Sequence, residues 1–145
     1  MISHPEDRRD LAQDVYLKAF HKLSGFRFQS KLSTWIAQIA YNTCYSFLDK
    51  KKLLFTEIED KIMLPENEIE AHFDNKANSE ILQREIERLP PVYKTLIILF
   101  HTEEISYAEI SLITGLPDGT VKSYLSRARK TLKNNLLQTY SKEAL

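Results

Sequence analysis

Apolar residues recur every three or four positions over the stretch from Pro5 to Leu23, which is the pattern of an amphipathic helix. Pro5 suits the first turn of a helix, where the acidic Glu6 and Asp7 complement the positive end of the helix dipole. Ser24 and Gly25 then end the helix. The stripe that we expect to be buried contains Leu11, Ala12, Val15, Tyr16, Ala19, Phe20 and Leu23.

The same spacing predicts a second helix from about Ser33 to Lys51. Its apolar stripe contains Trp35, Ile36, Ile39, Ala40, Thr43, Cys44, Phe47 and Leu48. The opposite face contains Gln38, Asn42, Tyr45 and Ser46. Two helices cannot enclose a core, because each needs a partner layer. This first block therefore docks on the rest of the chain, docks on another protein, or lacks a layer before Met1.

Helical patterns resume at Ser79, which we expect to cap a helix that ends near Leu89. Pro91 suits the start of a further helix through the segment "VYKTLIILF", residues 92–100. This segment is apolar almost all round, so we expect it to form the buried centre of the domain. Ser106 and Glu109 match a capping box, which places the start of the next helix at Ser106.

A short break separates that helix from the last one. Gly115 suits the left-handed position after a helix end, Leu116 fills the corner, and Pro117 restarts a helix. Two helices joined by so few residues, one of them glycine, predict a helix-turn-helix unit.

Projection of the last helix separates an apolar side from a basic side. The apolar side contains Val121, Tyr124, Leu125, Ala128 and Leu132. The basic side contains Lys122, Ser123, Ser126, Arg127, Arg129, Lys130 and Lys133. From Gly115 to the end, six Lys or Arg stand against two acidic residues. A solvated surface helix usually mixes charges of both signs, so the pattern favours a helix that enters the major groove of DNA.

These patterns predict an all-α fold of two small helical domains, residues 1–52 and 79–145, joined by an acidic linker, residues 53–78. Only three glycines and five prolines occur in 145 residues, which also favours helices. The net charge is zero, but the charges are unevenly distributed. Residues 1–52 contain nine Lys or Arg and five acidic residues, whereas residues 53–89 contain four Lys or Arg and ten acidic residues. Two basic blocks therefore flank an acidic one, which is typical of proteins that bind a polyanion.

The loop from Phe26 to Lys31 holds two phenylalanines and two cations. Exposed rings beside cations suit unstacked bases, because the rings stack on bases and the charges contact phosphates. The alternative is that Phe26, Phe28 or both fold back into the core, and this stretch by itself favours that alternative.

Several classes of function are disfavoured. The four histidines are scattered and no catalytic or metal-binding motif occurs, so we expect neither an enzyme nor a cofactor or metal. The single cysteine, Cys44, cannot form an internal disulfide, and no apolar run approaches the roughly 20 residues of a membrane span. We expect a cytoplasmic protein without membrane insertion.

The two blocks together resemble the sigma-70 family of RNA polymerase sigma factors, in its extracytoplasmic-function (ECF) group. The run "DLAQDVYL", the run "TWIAQIAYN" and the run "GTVKS" carry the resemblance, in that order along the chain. The first block resembles regions 2.2 to 2.4, and the second resembles region 4. In the family further helices precede this match, so we expect that the chain lacks the N-terminal part of region 2.

The resemblance implies three sets of site residues and three partners: core RNA polymerase, promoter DNA and an anti-sigma factor. Residues that match the polymerase-docking helix are Asp10, Leu11, Gln13, Asp14, Val15 and Lys18. Residues that match the surface for the melted minus-ten strand are Phe26, Arg27, Phe28, Gln29, Ser30, Lys31, Gln38 and Asn42. Residues that match the minus-thirty-five reading face are Thr120, Lys122, Ser123, Tyr124, Ser126, Arg127, Arg129 and Lys130.

Two other functions stay open. A simple helix-turn-helix regulator would use residues 79–140 and treat the first block as a dimerisation element. A truncated sigma relative would bind DNA or polymerase without opening promoters. Tyr124 stands where many relatives have Arg, so we also expect a different promoter preference.

Overall fold

The computed structural model describes residues 1–54 and 77–143, so nearly all of the predicted linker 53–78 lies outside the described residues. Within those ranges every regular element is a helix. The helices are α1 (Pro5–Lys22), α2 (Leu32–Leu54), α3 (Ala77–Glu87), α4 (Pro91–Ile97), α5 (Tyr107–Thr114) and α6 (Asp118–Glu143). A 3-10 turn, Leu23–Gly25, follows α1, and a π-helical turn, Ile98–Thr102, follows α4. The all-α prediction is confirmed.

Helix α1 begins and ends as the sequence predicts, with proline in its first turn and Glu6 and Asp7 beside it. Its predicted buried stripe is wrong in part. Val15 is buried, whereas Tyr16 is 73% and Phe20 is 75% exposed. The reason is that α2 covers α1 along one side only. Ala12 and Leu23 are exposed as well, and Leu11 and Ala19 are half-buried.

Helix α2 packs against both α1 and α5, so the first block docks on the second. Ile39 and Thr43 are buried as predicted, and Gln38, Asn42, Tyr45 and Ser46 are exposed as predicted. Tyr41 is also buried, which the helical projection did not predict. Burial and the neighbouring Tyr45 and Tyr124 raise the pKa of Tyr41. Proximity to Tyr124 of α6 shows that Tyr41 faces the second block.

The second block has a core made by α4, α5 and α6. Its fully buried side chains are Leu96, Ile110, Val121, Leu125 and Ala128, at 0% exposure. Helix α3 begins at Ala77, so Ser79 lies inside the helix and the prediction that it caps the helix is wrong. The buried Glu85 accepts hydrogen bonds from Arg88 (2.8 Å) and Thr139 (3.2 Å), which ties α3 to the end of α6. Burial of this carboxylate is compatible with folding because both contacts compensate its lost hydration.

Replacing Gly115 by Ala should destabilise the second block by roughly 1–2 kcal/mol, because an L side chain is strained at the left-handed φ of +73°. Beyond the adjacent residues of the chain, no atom lies within 4 Å of an added Cβ. The expected loss of stability therefore comes from backbone strain and not from a steric clash. Gly119 in the first turn of α6 is the matched control, since its added Cβ also meets nothing within 4 Å. Gly119→Ala should be neutral or stabilising by up to about 1 kcal/mol. Denaturant unfolding measures both, and equal destabilisation would contradict the backbone argument.

Candidate nucleic-acid interface

The turn between α5 and α6 is fixed by side-chain hydrogen bonds. At the start of α5, the Ser106 hydroxyl accepts a hydrogen bond from the Glu109 amide at 3.2 Å, which confirms the predicted capping box. At its end, Gly115 adopts the left-handed conformation. The Ser111 hydroxyl donates to the Leu116 carbonyl at 2.6 Å, and the Thr114 hydroxyl accepts from the Leu116 amide at 3.2 Å. These bonds fix the direction in which α6 leaves the turn.

Helix α6 presents a buried face and a basic face, as the projection predicts. Val121, Leu125 and Ala128 are fully buried against α4 and α5. The exposed members of the predicted DNA-reading set are Lys122, Ser123, Ser126, Arg127 and Arg129. Thr120, Tyr124 and Lys130 are half-buried. Tyr124 makes an edge contact with Tyr93 at 5.7 Å between ring centroids, so part of its ring belongs to the core.

A row of aromatic rings lies beside α6, and sequence reasoning missed it. The Phe100 ring stacks on Tyr107 with 4.7 Å between centroids and 9° between planes. The His101 ring meets Phe100 edge-on at 4.9 Å. Lys122 lies over the Tyr107 ring and Arg129 over the Phe100 ring, at 5.6 and 5.4 Å from the centroids. The row brings together the π-helical turn, α5 and α6, which no local pattern connects.

Arg129 is also held by His101. Its Nε donates to His101 Nε2 at 3.1 Å. A guanidinium can only donate, so Nε2 is unprotonated when this bond forms. Burial, and then the charge of Arg129, lower the pKa of His101 below its ordinary value. Both causes favour the neutral form of the imidazole, which is the form that accepts this hydrogen bond.

The two phenylalanines of the loop before α2 have different environments. Phe26 is half-buried and packs on Trp35, with ring centroids 5.1 Å apart. Phe28 is 86% exposed and has a positive φ of 55°, which is uncommon for a bulky residue. Each of the two alternatives that the sequence left open, a ring in the core and an exposed ring, therefore applies to one of the two phenylalanines. Phe26 folds back onto the block. Phe28 is exposed beside Arg27 and Gln29, and its ring lies against that of Phe26 with 4.8 Å between centroids.

The remaining residues of the predicted melted-strand surface line up on the loop and on α2. Gln38 and Asn42 are exposed one turn apart on α2, and Ser30 is half-buried. Lys31 is exposed and forms a salt bridge with Glu109 of α5 at 3.0 Å. The hydrogen bond from Lys31 lowers the pKa of Glu109. An exposed pair of this kind contributes little to stability.

The predicted polymerase-docking residues lie on two sides of α1. Asp10 and Gln13 are exposed, and Leu11, Asp14 and Lys18 are half-buried. Lys18 forms a salt bridge with Asp14 at 2.8 Å and donates to Thr43 of α2 at 3.2 Å. Val15 points into the contact with α2 and is only 8% exposed.

Among the described residues, no group of histidine, cysteine or acidic side chains is arranged to hold a metal ion. No helix within the described ranges is long and apolar enough to cross a membrane. Cys44 is half-buried, and burial raises the pKa of its thiol. A raised pKa disfavours the reactive thiolate form.

Comparisons with known proteins agree with this geometry. A model described as sigma-70 region 2 matches residues 1–53, and one described as sigma-70, region 4 matches residues 79–132. The RNA polymerase sigma factor YlaC of Bacillus subtilis (strain 168) is 33% identical over 98% of this chain and 84% of its own. The ECF RNA polymerase sigma-E factor of Escherichia coli (strain K12) is 30% identical over 90% of this chain and 74% of its own.

A solved structure extends the likeness to three dimensions. The sigma factor RpoE in complex with the anti-sigma factor NepR, from Bartonella quintana, superposes with a TM-score of 0.68 at 28% identity. The match covers 93% of this chain and 84% of RpoE. The chain therefore belongs to the sigma-70 family of RNA polymerase sigma factors, in its extracytoplasmic-function group.

Proposed function

We propose that this sigma factor binds core RNA polymerase and directs it to promoters, where it takes part in transcription initiation in the cytoplasm. The observation that carries the proposal is the pairing of two surfaces in one chain of this family. One is the basic face of α6 behind a capped helix-turn. The other is the exposed Phe28 beside cations in a region 2 match.

The duplex is contacted by α6. Lys122, Arg127 and Arg129 reach phosphates or base edges, and the hydroxyls of Ser123 and Ser126 add neutral hydrogen bonds. These side chains are exposed on one side of a helix whose other side is fully buried. A rigid attachment to the core favours such contacts, because the helix does not have to be ordered when DNA binds.

The melted strand is held by the loop before α2 and the exposed side of α2. Phe28 stacks on an unpaired base, Arg27 contacts a phosphate, and Gln38 and Asn42 hydrogen-bond to base edges. Phe26 supports this surface from beneath through its packing on Trp35. Lys31 joins it when its salt bridge to Glu109 is released.

Core polymerase docks on the side of α1 that carries Asp10, Gln13 and Asp14. Val15 is buried and acts as the support of that helix on α2. The exposed Leu17 lies on α1 as well and adds apolar area to a docking surface. The likeness to an RpoE chain held by NepR supports an anti-sigma factor as a further partner.

Replacing Asp14 by Ala should weaken association with core polymerase by roughly 3- to 10-fold, the range of one charged contact in an interface. The carboxylate is half-exposed and its only described ionic partner is Lys18 of the same helix, so folding should be little changed. Fluorescence anisotropy of labelled protein titrated with core polymerase measures the affinity. Asp49→Ala, which removes an exposed acid at the other end of the block, is the matched control.

Unchanged affinity for Asp14→Ala would reject this docking surface. Failure of the unmodified chain to bind core polymerase would reject the sigma-factor mechanism as a whole. Duplex binding without polymerase binding would instead favour the simple helix-turn-helix regulator. Binding to both partners without promoter opening would favour the truncated relative.

A further inference from the structure

Lys122 and Arg129 of α6 each lie over an aromatic ring. They are seven residues apart, which places them on one side of the helix and roughly 10 Å apart along its axis. Their rings, Tyr107 and Phe100, stack face to face, so one continuous surface supports both cations. His101 extends that surface and bonds to Arg129.

The π-helical turn Ile98–Thr102 makes this arrangement possible. It interrupts the regular spacing after α4 and carries both Phe100 and His101. Such turns widen a helix by one residue and change the direction of the side chains that follow. Their occurrence at functional sites is frequent. Here the displaced side chains lie against the basic face of α6.

We infer that Tyr107, Phe100 and His101 are positioning residues for promoter binding, which hold Lys122 and Arg129 at fixed places for two phosphates of the duplex. We call these three residues the aromatic row. The inference rests on the proposed contact between α6 and DNA and extends the site to residues outside α6. None of the three touches DNA in this role, because each acts through a cation that it supports.

The physical gain is preorganisation. A free Lys or Arg side chain loses rotamer entropy when it binds a phosphate. A ring beneath an exposed cation favours one arrangement of that side chain, and a hydrogen bond restricts it further. Part of the ordering cost is therefore met before DNA arrives.

His101 has a distinct part in the row, since it selects the orientation of the Arg129 guanidinium. Its Nε2 accepts the hydrogen bond from the Nε–H of Arg129. The two terminal nitrogens of the guanidinium therefore remain available for a phosphate. Those terminal nitrogens still offer four N–H donors. Phe100 lies beneath the guanidinium, with its ring centroid 5.4 Å from the central carbon, and so restricts where the group can lie.

The test is a double-mutant cycle between His101 and Arg129, read by duplex binding over a series of salt concentrations. Arg129→Ala should lower affinity by roughly 3- to 10-fold and reduce the salt slope by about one. His101→Leu should reproduce part of the affinity loss and the same direction of slope change. The double variant should be no weaker than Arg129→Ala, since His101 acts through Arg129.

Two comparisons separate positioning from mere folding. His101→Gln keeps an acceptor at this position and should restore at least half of the loss in His101→Leu. Lys130, a cation of α6 that has no contact with the row among the described residues, should combine additively with His101→Leu when replaced by Ala. A destabilised fold would lower affinity without rescue by Gln, and it would weaken every α6 variant alike.

An unchanged salt slope and affinity in His101→Leu would overturn the inference, and so would full additivity with Arg129→Ala. A chain that binds no duplex at any salt concentration would overturn the proposed function and, with it, the phosphate role of the row. The His101–Arg129 contact is then judged by NMR titration of His101. Its pKa should rise when Arg129 is replaced by Gln, because the nearby cation lowers it.

Discussion

Simultaneous replacement of Lys122 and Arg127 by Ala should lower affinity for promoter duplex by roughly 10- to 100-fold at moderate salt. Both side chains are exposed on the basic face of α6, one over the Tyr107 ring and the other further along the helix. Each removed phosphate contact also removes the release of about one counterion. The slope of log affinity against log salt should therefore fall by about two.

The measurement is fluorescence anisotropy of a labelled duplex at several salt concentrations. Lys22→Ala with Lys50→Ala is the matched control, because it also removes two exposed cations but from the first block. That control should change affinity by less than about threefold, through long-range charge alone. Equal losses in the two double variants would assign the effect to net charge and would reject a specific α6 surface.

The helix-turn-helix corner was predictable because its signals are local. The Ser106–Glu109 capping box and the left-handed Gly115 each depend on residues within one turn of chain. The division of α6 into a buried and a basic face was also predictable, since 26 consecutive residues share one helical period. Such features do not depend on what else the helix meets.

The exposure of α1 could not be predicted in the same way. Periodicity shows that Tyr16 and Phe20 share an apolar side, but it does not tell which neighbour covers that side. In the structure the contact with α2 reaches Val15 and leaves the other two outward. Tyr41 is buried for the opposite reason. Helix α2 packs against α5 as well as α1, so more of its surface is covered than its own periodicity predicts.

The aromatic row was out of reach for a different reason. The sequence pattern places Phe100 at the end of an apolar segment that forms the centre of the second block. The π-helical turn breaks the period on which that reading depends, and the ring contacts join residues of three elements. A pattern in the sequence can locate the cations of a site more easily than the side chains that position them.

The loop before α2 gives the second large prediction, which concerns the opened strand. Replacing both Phe28 and Asn42 by Ala should lower affinity for single-stranded minus-ten DNA by roughly 10-fold or more. Loss of stacking costs about 1–3 kcal/mol per base, and loss of one hydrogen bond about 1 kcal/mol. Phe28 is so exposed that removing its ring creates no cavity, and Asn42 is exposed too. Stability should therefore be nearly unchanged.

The decisive feature is the contrast between the two forms of DNA. In holoenzyme with core polymerase, the Phe28 and Asn42 variant should bind the duplex within about twofold of the unmodified protein, since α6 is intact. It should nevertheless open promoters poorly, as measured by permanganate reactivity of unpaired thymines. Ser46→Ala, one turn beyond Asn42 on the same exposed side of α2, is the matched control and should open promoters normally. A surface for the melted strand acts only after the duplex has separated. Equal losses in duplex binding and in promoter opening would therefore contradict the proposal that the first block binds the melted strand and the second block binds the duplex.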